Sequence, residues 1–293
     1  MNLSMKRNWL RSTKQVLYPV KSMNSLAIDL DDKHFNKVCN LVYQLSGIHL
    51  RHGKEALVKT RLMKRLRKLN IASFDDYIRL IESKAGHTEL GMMIDVMTTN
   101  KTSFFREQPH FDFLSGTILP FINKKKLRMW SAACSSGQEP YSIAILLREK
   151  MPDVDLMDIR ILATDISRRM LEEANEGIYD EDKMEGISKE VLYKYFSRIK
   201  DSSVAEYKVK DCVRKMISLA SLNLLGSWPM KGPFDVIFCR NVMIYFDRPT
   251  QQKLVDRFWN ILEPGGYLFV GHSEGLSAVK HKFKYVQAAI YRK

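Results

Sequence analysis

Glu139, Asp165 and the pair Arg240-Asn241 each follow a short apolar run, and the chemistry of this sequence gathers at that repeated placement. Leu127-Arg128-Met129-Trp130 leads into Ser131-Ala132-Ala133-Cys134-Ser135-Ser136-Gly137-Gln138-Glu139-Pro140-Tyr141-Ser142, a small-residue turn that opens a segment with helical length and spacing. Small residues let a ligand approach the backbone closely. Pro140 suits a first helical turn, where its missing N–H costs nothing. Strand, turn and helix N-terminus, in that order, open the nucleotide sites of doubly wound folds. This turn is not Gly-x-Gly-x-x-Gly, and Glu139 sits where a phosphate would need bare N–H groups. A carboxylate there repels pyrophosphate but can hold a cation or accept a hydrogen bond from a hydroxyl. The turn points to a nucleoside ligand without phosphates.

Asp165 closes the next apolar run, Ile159 to Thr164, about 28 residues beyond Gly137. An acid at the end of a second strand can accept both hydrogen bonds of a ribose diol. It could equally cap a helix beginning at Ser167. Ser221-Leu222-Asn223-Leu224-Leu225 follows a third strand, and the Asn223 amide could read an adenine edge or form a turn. Phe234-Asp235-Val236-Ile237-Phe238 ends in Cys239-Arg240-Asn241, at the carboxyl edge where open sheets hold ligands, with Tyr245 near enough to line a transfer site. Cys239 reads as a buried strand residue, since no histidine partner is evident for a nucleophile. Thr98 to Glu107 is polar but interrupted by Phe104 and Phe105, a poor helix and a poor strand. As part of a site it offers donors and a fixed cation, Arg106. His272, in Gly271-His272-Ser273-Glu274, fits a general base or a structural residue equally well.

Periodicity places the elements that must hold these residues. Residues 32–99 read as helical. Asp31 or Asp32 caps a helix through Ser46, with Phe35, Val38, Cys39, Val42 and Leu45 on one face and Gly47 at its end. Lys54 to Leu69 is a second helix with Leu57, Val58, Leu62, Leu66 and Leu69 inward. Its remaining positions carry Lys59, Arg61, Lys64, Arg65, Arg67 and Lys68, offset only by Glu55. That face is either solvated or a docking surface for an acidic helix. Helices follow at Phe74 to Lys84, Thr88 to about Thr98, and Pro109 to Ile122.

From residue 127 strands and helices alternate, the pattern of a parallel sheet covered on both faces. The expected strands are 127–131, 159–164, 216–221, 234–239, 266–271 and 283–292, and the expected helices 140–151, 167–176, 189–197 and 249–262. The alternation breaks at about 178–215, where Val204 to Lys210 reads as part of a small antiparallel insert. The fold class is thus α/β: a Rossmann-like sheet with helices on both faces, preceded by a small all-helical domain. The domains are a mobile basic tail at 1–25, the helical domain at 26–99, a linker at 100–126 and the α/β domain at 127–293.

Across 293 residues, 47 basic and 33 acidic side chains give a net charge of +14. An acidic partner is expected: nucleic acid, an anionic surface or acidic protein segments. No apolar run approaches the roughly 18 residues of a membrane span, and residues 1–23 lack the apolar core of a signal peptide. Cys39, Cys134, Cys212 and Cys239 are scattered, which fits a reducing cytoplasm without disulfides. His49 and His52 lie three apart with nothing to complete a site, so no metal is expected.

Taken together, four runs resemble the chemotaxis receptor methyltransferases, the CheR family: Thr98 to Glu107, Trp130 to Ser142, Phe238 to Phe246, and Gly271 to Glu274. The resemblance covers about residues 30–292. It implies a class I methyltransferase sheet and a protein-glutamate O-methyltransferase, with S-adenosylmethionine as cofactor and S-adenosylhomocysteine as product. The substrates it implies are glutamates on cytoplasmic helices of methyl-accepting receptors, contacted by the basic helix at 54–69. By the same resemblance Asn100, Thr102 and Arg106 form a lid, and Glu139 and Asp165 hold the amino-acid and ribose parts. Asn223, Leu224, Cys239 and Arg240 surround the adenine and ribose with Asn241 nearby, and Arg106 and Tyr245 face the methyl group and the substrate.

Family members that tether to a receptor's C-terminal pentapeptide carry a glycine-containing loop in the insert. Here Phe196 to Val204 has no glycine, so no calorimetric binding of such a peptide is expected. A nucleic-acid methyltransferase, which the charge invites, is opposed because Asn241 lacks a following Pro-Pro-aromatic run. A non-catalytic signalling module would be free to lose Arg106, Tyr245 or the acidic residues, and all are present. A nicotinamide dehydrogenase would need a phosphate-cradling glycine loop.

Overall fold

The computed structural model describes residues 29–122, 126–199 and 204–293. The expected basic tail at 1–25 lies outside them, as do residues 123–125 and 200–203. The helical unit consists of α1 (Asp32–Ser46), α2 (Glu55–Leu69), α3 (Phe74–Glu82) and α4 (His87–Met97). Asp31 caps α1 by accepting the His34 N–H, and Gly47 ends it at a φ of 74°, a left-handed conformation that glycine adopts without strain. Ser73 caps α3 in the same way through the Asp76 N–H. Phe35, Val38, Val42, Val58, Leu62, Leu66 and Tyr77 form the interior. Leu57, expected to point inward, is 39% exposed. The buried stripe of α2 is Val58, Leu62, Met63 and Leu66, and Leu57 lies one residue, about 100° of helix, outside it.

The α/β domain begins with α5 (Gln108–Phe113), which continues through a π turn at Leu114–Ile118 and a 3-10 turn at Leu119–Phe121. In chain order there follow β1 (Lys126–Ala132), α6 (Gln138–Lys150), β2 (Asp158–Asp165) and α7 (Arg168–Glu176). The insert contributes β3 (Ile178–Asp180), α8 (Lys189–Tyr195), β4 (Phe196–Ile199) and β5 (Glu206–Val209). Next come α9 (Asp211–Arg214), β6 (Ile217–Ser221), β7 (Phe234–Cys239), α10 (Arg248–Ile261), β8 (Leu262–Val270), β9 (Lys284–Gln287) and β10 (Ile290–Arg292).

Seven strands lie in the order β6-β2-β1-β7-β8-β10-β9. Pairing is parallel from β6 to β8, and β10 and β9 join as antiparallel strands. Met129, Trp130, Ile161, Val236, Ile237, Phe238, Leu268 and Phe269 are fully buried, the near-continuous apolar strands of a sheet covered on both faces. Strand order reverses at β1, with β2 on one side and β7 on the other. Open sheets hold ligands at the carboxyl ends beside such a reversal. The expected strand at 283–292 is a hairpin, turned at Ala289 with a φ of 61°. The helix expected at 189–197 ends at Tyr195, because Phe196 leaves it to pair with Val209 in the sheet β3-β5-β4.

The helical unit is fastened to the sheet's carboxyl edge at three points. The His49 N–H donates to the Tyr245 carbonyl at 2.8 Å, Asn223 Nδ2 to the Leu45 carbonyl at 2.6 Å, and the Tyr43 hydroxyl to Asp247 at 2.8 Å. Among the described residues, no helix is long and apolar enough to cross a membrane.

Candidate active site

One cleft opens between the helical unit and the carboxyl ends of β1, β2 and β7. It encloses about 1000 Å³ of empty space, its open mouth included. Asn100, Thr102, Arg106, Glu139, Asp165, Asn223, Leu224, Arg240, Asn241 and Tyr245 all line it. Cys239 does not: its side chain is fully buried one residue earlier, inside the sheet. Burial also pushes its thiol well above the ordinary value, which keeps it an uncharged packing group.

Asp165 ends β2 and is 7% exposed. Its Oδ2 accepts the Ser135 N–H at 2.8 Å and its Oδ1 the Ser167 N–H at 2.9 Å. Each carboxylate oxygen keeps further acceptor capacity, which suits two adjacent hydroxyls. Burial raises the Asp165 carboxyl above the usual range despite those two N–H donors. The α7 cap is Ser167, which accepts from the Met170 N–H, so Asp165 braces the turn without being the N-cap.

At the start of α6, Gly137 has a φ of 95°, and a Cβ there would sit 2.8 Å from that of Ala174. Only glycine fits this approach. Glu139 follows one residue into the helix, its Oε1 accepting from the Ser131 hydroxyl at 2.7 Å. Its Oε2 meets Arg240 Nη1 at 3.0 Å. Arg240, with 2% of its side chain exposed, also contacts Glu107 Oε2 at 3.0 Å and donates to the Arg106 carbonyl. One guanidinium therefore holds the turn after β1 and the segment carrying Arg106 against the end of β7. Two carboxylates around one buried arginine give each charge a partner, the condition under which burial is tolerated.

Burial works to raise the Glu107 carboxyl, but the Arg240 charge and hydrogen bonds from Asn241 and Arg240 hold it below the usual value. His110 is fully buried beside this group, and burial with the Arg240 charge pushes it down to about 3. Glu107, His110 and His272 bring ligand atoms within 4.8 Å of one another, the one such group among the described residues. Within this group Glu107 has Arg240 as its cation, at 3.0 Å.

Arg106 is half-buried at the cleft, its Nη1 donating to the Lys101 carbonyl at 2.8 Å. Tyr245 faces the same space from the loop after β7. Glu274, 6% exposed, shapes that loop. It accepts from the backbone N–H groups of Asn241 at 2.5 Å, Gly271 at 2.7 Å and Ile244 at 3.1 Å. In the Gly271 to Glu274 run the organising residue is thus Glu274, while His272 is exposed. Asn223 lines the cleft, but its amide is engaged on both sides, donating to Leu45 and accepting from the Leu225 N–H at 2.9 Å. It thereby ties the cleft to the helical unit, and Leu224 lines the cleft beside it. Glu107 and Glu274 were missed as site residues because their partners lie far away in the chain. Their one sequence signal is an acid adjoining a recognised run.

Residues 33–98 match the family described as "CheR methyltransferase, all-alpha domain", and residues 100–292 match "CheR methyltransferase, SAM binding domain". A Rhizobium etli protein, "Probable chemotaxis protein methyltransferase", is 43% identical over 258 residues, covering 86% of this chain and 96% of its own length. "Chemotaxis protein methyltransferase" of Borreliella burgdorferi is 39% identical, covering 92% of this chain and 97% of its own. The Escherichia coli protein of the same name is 38% identical, covering 89% and 91%.

Proposed function

The chain belongs to the CheR methyltransferase family, and on that premise we propose that it methylates glutamate carboxylates on the cytoplasmic helices of chemotaxis receptors, forming methyl esters. S-adenosylmethionine-dependent methylation in chemotaxis is the activity of the family and of this chain. The finer reading rests on one observation: Arg106 and Tyr245, the residues suited to an anionic acceptor, share a cleft with Glu139 and Asp165, the residues suited to a nucleoside amino acid.

The donor set fits S-adenosylmethionine. Asp165 takes the ribose hydroxyls, Glu139 lies where the amino-acid part needs an anion, and Leu224 covers the base. Asn100 and Thr102 close the cleft from the helical side. When bound, the cofactor supplies an electrophilic methyl on a sulfonium. A glutamate carboxylate is ionised near pH 7 and attacks without a general base. What remains for the protein is in-line positioning and exclusion of water. Arg106 orients the acceptor carboxylate through a charge-assisted contact, and Tyr245, in the same cleft, confines it. The reaction takes place in the cytoplasm and does not use a pentapeptide tether.

The deciding assay follows labelled methyl from S-adenosylmethionine into receptor cytoplasmic domains. The label is expected to leave as methanol in base. Base-stable label, or label in RNA, would overturn the ester reading. Arg106→Ala is expected to lower kcat/KM by at least about a thousandfold, within the range of lost transition-state electrostatics and positioning. Full activity in that variant would remove Arg106 from the site.

A further inference from the structure

A second cavity adjoins the cleft, with about 1110 Å³ of empty space including its mouth. Tyr245 and Phe246 line both cavities, so one short stretch of chain separates them. Its far walls come from His49 and Arg51 of the helical unit, from Asp247 and Arg248 at the start of α10, and from the turn at Ser273 to Leu276. The wall next to Tyr245 is fixed from both domains. The His49 N–H holds the Tyr245 carbonyl at 2.8 Å, and Glu274 holds the Ile244 N–H at 3.1 Å.

The charges of this groove are unequal in availability. Asp247 is engaged with the Tyr43 hydroxyl and the Thr250 N–H, and Glu274 with three backbone N–H groups. Arg51 and Arg248 are exposed and make no ion pair among the described residues. The exposed charges on the rim of the groove are thus the two guanidinium groups, beside Ile244, 49% exposed, while its two carboxylates are less exposed and held by hydrogen bonds. That combination fits a segment with acidic side chains on an apolar body.

We propose that this groove is the acceptor-side dock, and that Arg51 and Arg248 select acceptors carrying acidic residues beside the glutamate to be methylated. The proposal rests on the methyl-ester reading above and adds the surface that delivers the substrate. An acidic segment lying in the groove passes Tyr245, which is the wall it shares with the cofactor cleft. Paired rim charges steer encounter and fix register, and they act through a field that salt screens.

The test uses the full chain with Arg51→Glu and Arg248→Glu, singly and together, assayed on a receptor cytoplasmic domain at low salt. The double variant is expected to raise KM for the acceptor at least about tenfold while leaving kcat and S-adenosylmethionine affinity unchanged. Added salt should narrow the gap, and an acceptor with one flanking acid changed to lysine should recover part of the loss. An unchanged KM in a variant that still binds cofactor overturns the groove. The two readings separate cleanly. A wild-type chain that methylates no receptor domain refutes the methyl-ester reading and this proposal together. An active wild type matched by its double variant refutes the groove alone.

Discussion

The carboxyl edge of the sheet and the outer face of α2 are both dense in charge, yet they use it in opposite ways. At the sheet edge Arg240 is buried and shared between Glu107 and Glu139, so each charge has one place and one set of partners. On α2 the six cations divide. Arg65 is paired with Glu89 at 2.5 Å, Lys59 reaches Asp29 at 2.8 Å, and Arg61 donates to the Met97 carbonyl and Thr99. Lys64, Arg67 and Lys68 are exposed without an ion pair among the described residues. Buried charge shapes a site. Exposed charge supplies a field to which any one residue contributes little.

The largest expected effect is therefore at Arg240. Arg240→Met leaves two carboxylates without their cation and should cost about 3–5 kcal/mol of stability, the usual result of breaking a buried pair. Urea denaturation would show the loss as a lower midpoint at constant slope. Adding Glu107→Gln should restore part of it, since one stranded charge is removed. Strictly additive losses would mean that the three residues do not act as a unit.

How much of this the sequence disclosed follows the same division. Glu139, Asp165 and Arg240-Asn241 were legible because each ends or follows an apolar strand, and strand ends in a parallel sheet share one edge. The alternation of elements from 127 onward and the four helices before it were legible from period alone. Pairings were not. Arg240 and Glu139 are 101 residues apart, Asn241 and Glu107 are 134 apart, and Asn223 and Leu45 are 178 apart. Composition counts the α2 cations against Glu55 but cannot see Glu89 arriving from α4. Asn223 shows the same limit: its amide also reaches a carbonyl 178 residues away, in the helical unit. Leu57 shows a smaller limit, since one residue's rotation separates buried from exposed on a helix.

Asp165 should give an intermediate effect, and its sign can be stated. Its carboxyl is raised by burial, so it takes up a proton at a higher pH than the ordinary value of about 3.9. Only the ionised form accepts two hydroxyl hydrogen bonds. Cofactor affinity should therefore weaken as pH falls through that raised value, by about tenfold per unit below it. Asp165→Asn should bind weakly and lose this pH dependence. A wild-type titration that matches the variant would mean that another group holds the ribose.

The smallest effect belongs to α2, and it tests the division most directly. Reversing Lys64, Arg67 and Lys68 to glutamate touches no described ion pair and should leave the urea midpoint in place. Each exposed charge is worth about 0.2–1 kcal/mol, so the triple variant should weaken receptor-domain binding about tenfold at low salt and much less at high salt. Arg65→Met should do the reverse. It strands Glu89, 7% exposed and also bound by the Tyr77 hydroxyl at 2.9 Å, so it should lower the urea midpoint while changing receptor affinity little. If the two variants exchanged these outcomes, the exposed cations would be structural and the dock would have to lie elsewhere. The Arg51 and Arg248 groove would then stand alone as the basic surface facing the acceptor.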